Sequence, residues 1–479
     1  MTAFKQFING QWCGSSSQIE VVDPATEEVI GSIACADTAQ VNEAVMAARA
    51  CVERGDLTNP RPAQRVRWLL AVADEIERLK PEGVPLLVAE NGKTVADAEA
   101  EFDTAAQYFR YYAGMADKIE GKSIPLGAEY VDFTVYEPLG VSAQIVPWNF
   151  PVDLGARSLA PALAAGNAVV IKSPELTPLA ITLLARACET AGLPAGSVNI
   201  ICGYGHEAGA QLVAHPEVDQ IVFTGSVATG QSILRSAAER AVPCVMELGG
   251  KSAAIVFADA DLDQFIDSVD WGIFFNGGQV CSAMSRVLVH ADIHEEVVAR
   301  VAALALGQTV GHGSQADTTL TPVSSAQQRD KVIALCESGV AQGARLVTGG
   351  QACDRSGYFV EPTVLDQVTV DNPVFQEEVF GPVISVTPFS SEAEAWELAN
   401  ATQFGLVNGI FTQDLNIALR GAKALKSGQV FVNEWYAGGV ETPFGGVKLS
   451  GFGREKGQEA LYSYVQTKNI AIKLNSTEQ

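Results

Sequence analysis

Apolar residues follow two different periods along the 479-residue chain. In the first 120 residues they recur every three to four positions over 41–54, 63–79 and 99–112, which predicts three helices. From 130 to 136 apolar and polar residues alternate, which predicts a half-exposed strand. The tail, 462–474, alternates in the same way, and we expect it to pair either with that strand or with another subunit.

Short apolar runs alternate with helical stretches in two blocks farther along the chain. The first block has predicted strands at 167–172, 198–201 and 220–223, and predicted helices at 179–191, 208–214 and 230–240. The second block has predicted strands at 253–257, 285–289, 344–348, 383–388, 409–412 and 430–433. Such alternation is typical of right-handed βαβ units, so the sequence predicts an α/β fold with parallel sheets.

Charge and hydropathy exclude several classes of protein. The net charge is −24 and the acidic residues are spread along the chain, which argues against nucleic-acid and membrane-surface partners. The apolar stretch 162–171 is too short to span a membrane. The N-terminus shows no basic segment followed by an apolar one, so the expected location is the cytoplasm.

The chain has nine cysteines and five histidines. The number of cysteines is odd and no two have Cys-x-x-Cys spacing, so the sequence indicates neither a disulfide framework nor a zinc site, and we expect no metal. A cysteine in such a chain is commonly a small buried apolar residue, so a catalytic role has to be argued from its neighbours.

Glycines and charged residues follow several predicted strands. Gly225 and Ser226 end one strand and Gly230 opens the next predicted helix, whose N-terminus attracts anions. The Gly-x-x-x-x-Gly spacing departs from the dinucleotide fingerprint, and a structural turn fits it as well. Lys172 and Glu175 follow another strand, where they suit ribose hydroxyls or a solvated loop.

Three side chains have neighbours that suit catalysis. Cys281 is preceded by Gly-Gly-Gln and followed by small residues, and a helix beginning after it would stabilise a thiolate. Glu247 precedes two glycines in an apolar segment, which would raise its pKa as a general base requires, although a hinge is the alternative. Asn149 stands among prolines and aromatics, where its amide would polarise a carbonyl oxygen or pack a turn.

In this order, the motifs closely resemble the aldehyde dehydrogenase superfamily, from 7–12 and 23–26 to 443–451. Glu247 precedes Cys281 by the separation found in the hydrolytic members. The resemblance implies a Rossmann-like cofactor domain at 1–118 and 139–249, an α/β catalytic domain at 250–450, and a small β oligomerisation arm at 119–138 and 460–479. It also implies a homodimer or homotetramer.

The resemblance further implies a role for each site residue. Cys281 corresponds to the nucleophile, Glu247 to the base that activates water, and Asn149 with the Cys281 N–H to the oxyanion hole. The implied cofactor contacts are Trp148, Lys172, Glu175, Gly225, Ser226, Gly230, Glu378 and Phe380. The implied activity is oxidation of an aldehyde to its acid with NAD, and less favourably NADP, because the Glu175 carboxylate repels a 2′-phosphate.

Departures from the family pattern leave the substrate open. Arg157 stands where many broad-range members have Trp, and it is similar to the arginine with which succinate-semialdehyde enzymes bind a carboxylate. The same segment resembles members that act on aromatic aldehydes, and an ion pair between Arg157 and Asp153 across one helical turn is a third interpretation. Trp435, Tyr436 and Phe444, in the segment that shapes the substrate funnel, favour an aryl or medium-chain aldehyde.

Two other function classes stay in view. A coenzyme-A-acylating relative would lack the glutamate found at Glu247, and a catalytically silent relative would have lost the nucleophile. The intact set of Cys281, Glu247 and Asn149 disfavours both.

Overall fold

The computed structural model describes residues 2–474, which form four β-sheets and the helices that cover them. The strands are β1 (Thr2–Phe4), β2 (Gln6–Ile8), β3 (Gln11–Cys13), β4 (Ser17–Val22), β5 (Val29–Cys35), β6 (Ser123–Ile124), β7 (Tyr130–Pro138), β8 (Val141–Ile145), β9 (Ala168–Ser173), β10 (Val198–Cys202), β11 (Gln220–Gly225), β12 (Cys244–Leu248), β13 (Ala253–Val256), β14 (Arg286–His290), β15 (Arg345–Thr348), β16 (Thr363–Asp366), β17 (Val383–Phe389), β18 (Val407–Phe411), β19 (Gln429–Val432), β20 (Gly451–Phe452) and β21 (Val465–Lys473).

The α-helices are α1 (Thr38–Arg54), α2 (Pro62–Asn91), α3 (Val95–Met115), α4 (Pro151–Ala165), α5 (Thr182–Thr190), α6 (Ala210–Ala214), α7 (Val227–Ala238), α8 (Leu262–Val269), α9 (His294–Leu306), α10 (Ala326–Ala341), α11 (Pro373–Gln376), α12 (Glu392–Asn400), α13 (Leu415–Ala424) and α14 (Gly457–Tyr462). Short π-helical turns occur at Gly205–Gly209 and Asp270–Phe274, and 3₁₀ turns at Phe275–Gly278, Ala291–Ile293 and Lys448–Ser450. Among the described helices, none combines the length and the apolar character that crossing a bilayer requires.

Two large sheets correspond to the two alternating blocks. The first has eight strands in the order β20-β12-β11-β8-β9-β10-β2-β3, and its five central strands, from β12 to β10, are parallel. The second has the order β15-β16-β17-β14-β13-β18-β19, and all of its pairs are parallel except β15 with β16. The predicted α/β fold is confirmed, because these central strands are apolar runs covered on both faces.

Two smaller sheets complete the described part of the chain. One has the order β1-β5-β4 near the N-terminus. The other has the order β21-β7-β6, in which β21 pairs antiparallel with β7 from Val465 opposite Pro138 to Lys473 opposite Tyr130. The alternating tail therefore pairs with the earlier strand of its own chain. The predicted domain boundaries stay predictions, and their outermost residues, 1 and 475–479, lie outside the described residues.

One helix is much longer than its pattern predicts. The predicted helix at 63–79 continues as α2 to Asn91, through Pro81 and Pro85. Both prolines face solvent, so water can satisfy the carbonyls that they leave unpaired, while the buried side of α2 packs on α3. Gly92, with a left-handed φ of 89°, ends the helix.

Candidate active site

A cavity of about 640 Å³ lies at the carboxyl ends of β11 and β12, where residues of both alternating blocks meet. Ligands of parallel α/β sheets bind at this end of the strands. Of the predicted site residues, the cavity is lined by Trp148, Asn149, Asp153, Arg157, Gly225, Ser226, Glu247, Cys281, Glu378, Phe380, Tyr436 and Phe444. Lys172, Glu175, Gly230 and Trp435 are not part of its lining.

Cys281 lies in an irregular segment between a 3₁₀ turn and β14. No helix begins after it, since residues 281–285 form a turn and extended chain, so the condition for a helix N-terminus to stabilise the thiolate is not met. The chain reaches this position through left-handed residues, and a Cβ on Gly278 would lie 2.2 Å from the carbonyl oxygen of Gly381. Among residues 2–474 the Cys281 N–H has no acceptor, so it is free to donate to a ligand in the cavity.

Burial controls the ionisation of the Cys281 thiol. Desolvation raises its pKa to about 12, the nearby Arg157 cation lowers it, and the carboxyls of Glu378 and Glu247 raise it further. In this state the sulfur is therefore a neutral thiol, and forming the thiolate requires a base or a change in the surrounding charge.

Asn149 is held with its amide beside the cysteine segment. It lies just before α4, and its Nδ2 donates to the carbonyl oxygen of Gln279 at 2.9 Å. Gln279 is itself fixed, because its Oε1 accepts from the Ser324 N–H at 2.8 Å and its Nε2 donates to the Asn276 carbonyl at 3.0 Å. One amide hydrogen of Asn149 thus orients the group, and the other is available to an oxygen in the cavity.

A buried ion pair supports the backbone of Asn149. Lys93 donates to the Asn149 carbonyl oxygen at 3.0 Å and to Glu101 at 2.5 Å, and both charged side chains are almost fully buried. The other carboxylate oxygen of Glu101 accepts from the Val152 N–H at 2.8 Å, in the first turn of α4. The sequence pattern missed Lys93 and Glu101, because nothing near them in the chain marks them as neighbours of Asn149.

Glu247 lies near the end of β12 with its carboxyl group in the cavity wall. Among the described residues neither carboxyl oxygen has a hydrogen-bond partner. Burial raises the pKa of Glu247 well above its usual value and Glu455 raises it further, whereas Arg157 and Arg454 lower it. The direction of this shift is the one expected from the sequence, and its main cause is desolvation.

A glycine leaves room for this carboxyl group. A Cβ on Gly445 would lie 2.6 Å from Glu247 Oε1. Gly445 lies in the segment from Phe444 to Glu455, whose two ends are joined by paired backbone hydrogen bonds.

Arg157 is paired with Glu455, a residue that the sequence pattern did not single out. The predicted ion pair with Asp153 is wrong: the carboxylate in salt-bridge contact with Arg157 belongs to Glu455, and both partners are buried. A backbone bridge joins Glu455 to Phe444, and both residues contact the Arg157 side chain. The Arg157 guanidinium also lies over the Phe444 ring, 5.2 Å from its centroid.

The turn after β11 leads into the N-terminus of helix α7, which suits an anion. This helix begins earlier than predicted. Helix α7 starts at Val227 and not at Gly230, because Ser226 caps it by accepting from the Thr229 N–H at 3.3 Å. Gly230 lies within the helix, where a Cβ would come 2.6 Å from Leu248 Cδ2. Its role is therefore the close packing of α7 on β12.

Lys172 and Glu175 form an ion pair at the carboxyl end of β9. The Lys172 Nζ lies 2.5 Å from Glu175 Oε2. Burial opposes ionisation of Glu175, but the charge and hydrogen bond of Lys172 outweigh it and lower the pKa of this carboxyl. Glu175 is thus an anion, as exclusion of a second anionic group requires.

Glu378 and Phe380 line the cavity together with Trp148, another predicted cofactor residue. Glu378 Oε1 accepts from the Gly250 N–H at 3.0 Å, and burial raises the pKa of Glu378 to about 7. Phe380, with a left-handed φ of 59°, places its ring at right angles to that of Trp148, 5.3 Å between centroids. A Cβ on Gly249 would lie 2.3 Å from Glu378 Oε2, so this glycine admits the carboxyl.

Aromatic rings form one side of the cavity. Phe150 stacks on Phe275 with 5.6 Å between centroids, and Phe275 also contacts Trp271 at 5.8 Å and Tyr436 at 6.3 Å. The prediction that Trp435 shapes the funnel is wrong, since its ring is buried behind the cavity and its Nε1 donates to the Ser282 carbonyl. The sequence pattern missed Phe150, Trp271 and Phe275 as lining residues, although the first lies in the segment around Asn149.

These groups suit addition of a sulfur nucleophile to a carbonyl. One cavity brings together a thiol, two donors for a developing oxyanion, and a carboxyl whose pKa is raised. The turn before α7 lies at the carboxyl end of β11, and the pair of Lys172 and Glu175 at that of β9, with β8 between the two strands. Both fit the phosphate and ribose groups of a dinucleotide.

Comparison with known proteins supports this interpretation. The model of the Aldehyde dehydrogenase family matches residues 12–470. The chain is 41% identical over 475 residues to retinal dehydrogenase 2 of Homo sapiens, covering 98% of this chain and 92% of that protein. It is 42% identical over 472 residues to aldehyde dehydrogenase family 2 member B4, mitochondrial, of Arabidopsis thaliana, covering 98% and 88%.

A solved structure is similar over the same length. The NAD⁺ complex of aldehyde dehydrogenase from Bacillus cereus is 38% identical, with a TM-score of 0.97, and the match covers 99% of this chain and 97% of that one.

Proposed function

The chain belongs to the aldehyde dehydrogenase family and is an oxidoreductase that acts on aldehydes with NAD(P), and from this premise we propose that Cys281, Asn149 and Glu247 carry out the reaction. The observation that supports this assignment is their meeting in one cavity, where Asn149 and the free Cys281 N–H are available to one oxygen. The product is the carboxylic acid, formed through a covalent thioester.

The first step is addition of the Cys281 sulfur to the aldehyde carbon. The thiol gives its proton to solvent water, the C–S bond forms, and the carbonyl oxygen becomes the oxyanion of a thiohemiacetal. Asn149 Nδ2 and the Cys281 N–H donate to this oxygen, and the Asn149 amide is oriented before the substrate arrives by its bond to the Gln279 carbonyl. NAD, when bound, would supply the acceptor for the hydride lost from this carbon, and the thioester on Cys281 would result.

The second step is hydrolysis of the thioester. Glu247 takes a proton from water, the hydroxide adds to the acyl carbon, and the Cys281 sulfur leaves. The role suits Glu247 because its carboxyl has no hydrogen-bond partner among residues 2–474. Both of its oxygens are therefore available to accept a hydrogen bond from a water in the cavity. A base at this place also favours water over coenzyme A as the acyl acceptor.

The dinucleotide would be held by the turn before α7, by Lys172 and Glu175 at its adenosine ribose, and by Trp148, Glu378 and Phe380 near the nicotinamide end. Two glycines fit this arrangement. Gly249 leaves room for the Glu378 carboxyl, and Gly230 lets α7 pack closely on Leu248, and a Cβ would block either contact. The Glu175 anion favours NAD over NADP, because a 2′-phosphate would be repelled.

For the substrate we propose an aromatic or medium-chain aldehyde. The rings of Phe150, Phe275 and Tyr436 provide flat apolar surface along the cavity. The alternative, a semialdehyde whose carboxylate binds Arg157, requires that guanidinium to share its charge with the Glu455 carboxylate already paired with it.

Glu247→Gln tests the assignment of the two steps. We expect the variant to release about one NADH per active site on mixing with aldehyde and NAD, and then to turn over at least about a hundredfold more slowly than the original chain, because a general base contributes that much. Stopped-flow absorbance measures the burst, and mass spectrometry of the intact protein detects the acyl group on Cys281.

Cys281→Ala is the matched control and should give no burst. A Glu247→Gln variant with neither burst nor acyl group would contradict the proposed order of steps. Aldehyde-dependent NADH formation by Cys281→Ala would contradict the proposed nucleophile.

A further inference from the structure

The cavity has a polar side formed by α3 and α4. From α3 it is lined by Asp97, Thr104 and Gln107, which lie on one face of that helix. From α4 it is lined by Asp153 and Arg157, one helical turn apart. Neither the reaction at Cys281 nor the dinucleotide site uses Asp97 or Asp153, so a function for this side remains to be assigned.

Asp153 directs an unused carboxylate to the cavity. Among the described residues its backbone N–H donates to Glu101, but no side chain or backbone group donates to its carboxylate oxygens. The neighbouring cation, Arg157, is already paired with Glu455. Burial raises the pKa of Asp153 to about 6, so the group is mostly ionised near neutral pH and lacks a hydrogen-bond donor.

Lys456 presents the complementary charge to the same cavity. It follows Glu455 directly, and the backbone bridge of Glu455 to Phe444 holds it there with a left-handed φ of 61°. Within residues 2–474 no carboxylate lies in salt-bridge contact with its ammonium group. Burial and the Arg157 cation lower the pKa of Lys456, whereas Asp153 and Glu441 raise it. Two opposite charges therefore line one cavity without contacting each other.

We propose that Asp153 and Lys456 together bind a hydroxyl group of the aldehyde, and that the preferred substrates are hydroxylated aryl aldehydes. The hydroxyl donates to the Asp153 carboxylate and accepts from the Lys456 ammonium. A substrate carboxylate would be repelled by Asp153, and a substrate ammonium by Lys456 and Arg157. A neutral group that both donates and accepts satisfies both charges, while the ring packs on the aromatic side of the cavity.

This assignment rests on the proposed oxidation of aryl aldehydes, and a substrate panel tests the two separately. The panel compares kcat/KM for benzaldehyde, its three hydroxy isomers and the matching methoxy isomers, with hexanal and succinate semialdehyde, at a pH where the phenols are neutral. We expect at least one hydroxy isomer to exceed benzaldehyde and its own methoxy analogue by about tenfold, as a hydrogen bond to a charged group provides.

Two substitutions separate the donor and acceptor contacts. A methoxy oxygen accepts a hydrogen bond but donates none, so Asp153→Ala should remove the preference for hydroxy over methoxy. Lys456→Met should lower kcat/KM for both the hydroxy and the methoxy substrate relative to kcat/KM for benzaldehyde. In the double variant the loss for the hydroxy substrate should be smaller than the product of the two single losses, because one group makes both contacts.

Asp103→Ala is the control, since it removes a carboxylate from α3 that pairs with Lys80 on the solvent side. Its substrate ratios should equal those of the original chain. If Asp153→Ala does not fold, Asp153→Asn replaces it, and the same ratio is expected to fall by a smaller factor.

The outcomes are distinguishable. Oxidation of benzaldehyde or hexanal without any gain from a hydroxyl would overturn this inference and leave the proposed function in place. A panel led by succinate semialdehyde, or hydroxy ratios unchanged in Asp153→Ala, would overturn it as well. If the protein oxidises none of the aldehydes in the panel, the proposed function itself is overturned.

Discussion

Burial and three nearby charged side chains determine the ionisation of Glu247. Burial disfavours its carboxylate most, the negative charge of Glu455 disfavours it further, and Arg157 with Arg454 favours it. Because Arg157 is paired with Glu455, the two have partly cancelling effects at Glu247. A substitution that removes only one of them should therefore shift the pKa of the proposed base.

Glu455→Gln should lower the pKa of Glu247. The substitution removes a nearby negative charge and releases Arg157 to interact with Glu247, and both changes favour the carboxylate. Thioester hydrolysis requires the ionised base. The acid limb of the pH–rate profile for hydrolysis should therefore move to lower pH by roughly one unit. The measurement is the steady-state rate after the NADH burst as a function of pH.

The control for this prediction is Glu459→Gln, on the exposed side of α14. It should leave the acid limb in place. A limb that moves to higher pH in Glu455→Gln, or one that does not move, would contradict the electrostatic account.

At the scale of helices and strands, the sequence predicts the central sheets well. Strands such as β9 and β13 are buried apolar runs between glycines and charged residues, so pattern alone locates them to within a residue or two. The start of α7 was missed because a serine cap at Ser226 outweighs the glycine at Gly230 as a helix signal. The predicted helix ends before the prolines of α2 because a proline normally ends a helix. Their exposure to solvent, which lets the helix continue, is a property of the fold.

The supporting contacts of the site were harder to predict than the site itself. Lys93 and Glu101 lie far from Asn149 in sequence, and Glu455 lies far from Arg157. Such pairs follow from how α3, α4 and the segment before α14 pack together, and no local spacing encodes that packing.

Gly230→Ala should weaken dinucleotide binding through the position of α7. The new Cβ would lie 2.6 Å from Leu248 Cδ2, so Leu248 or the helix must move. Overpacking of this kind costs roughly 1–3 kcal/mol. If α7 moves, its N-terminal N–H groups shift from the end of β11, and the Kd for NAD should rise by about tenfold. Isothermal titration calorimetry with NAD measures this.

Ser232→Ala, on the exposed side of α7, is the matched control and should bind NAD as the original chain does. An unchanged Kd in Gly230→Ala would mean that Leu248 alone adjusts, and that α7 is not held by this contact.

At the scale of the whole molecule, the β21-β7-β6 sheet has apolar residues that its own chain does not cover. Val131 lies opposite Ile472 and Phe133 opposite Ile470, so these four share one face. Val131 and Ile472 are 45% and 46% exposed. Exposed apolar patches of this kind mark protein interfaces. Together with the arm that the family resemblance implies, this face favours a second copy of the chain as its partner.

Replacing both Val131 and Ile472 by lysine should therefore reduce the size of the assembly. Four added lysines would face each other across a two-fold interface, and their burial would be unfavourable without acidic partners. Size-exclusion chromatography with light scattering should show a smaller species at a concentration where the original chain is a dimer or tetramer. Thr467→Lys, on the other face of β21, is the control and should keep the original mass. An unchanged mass in the double variant would place the subunit interface elsewhere on the molecule.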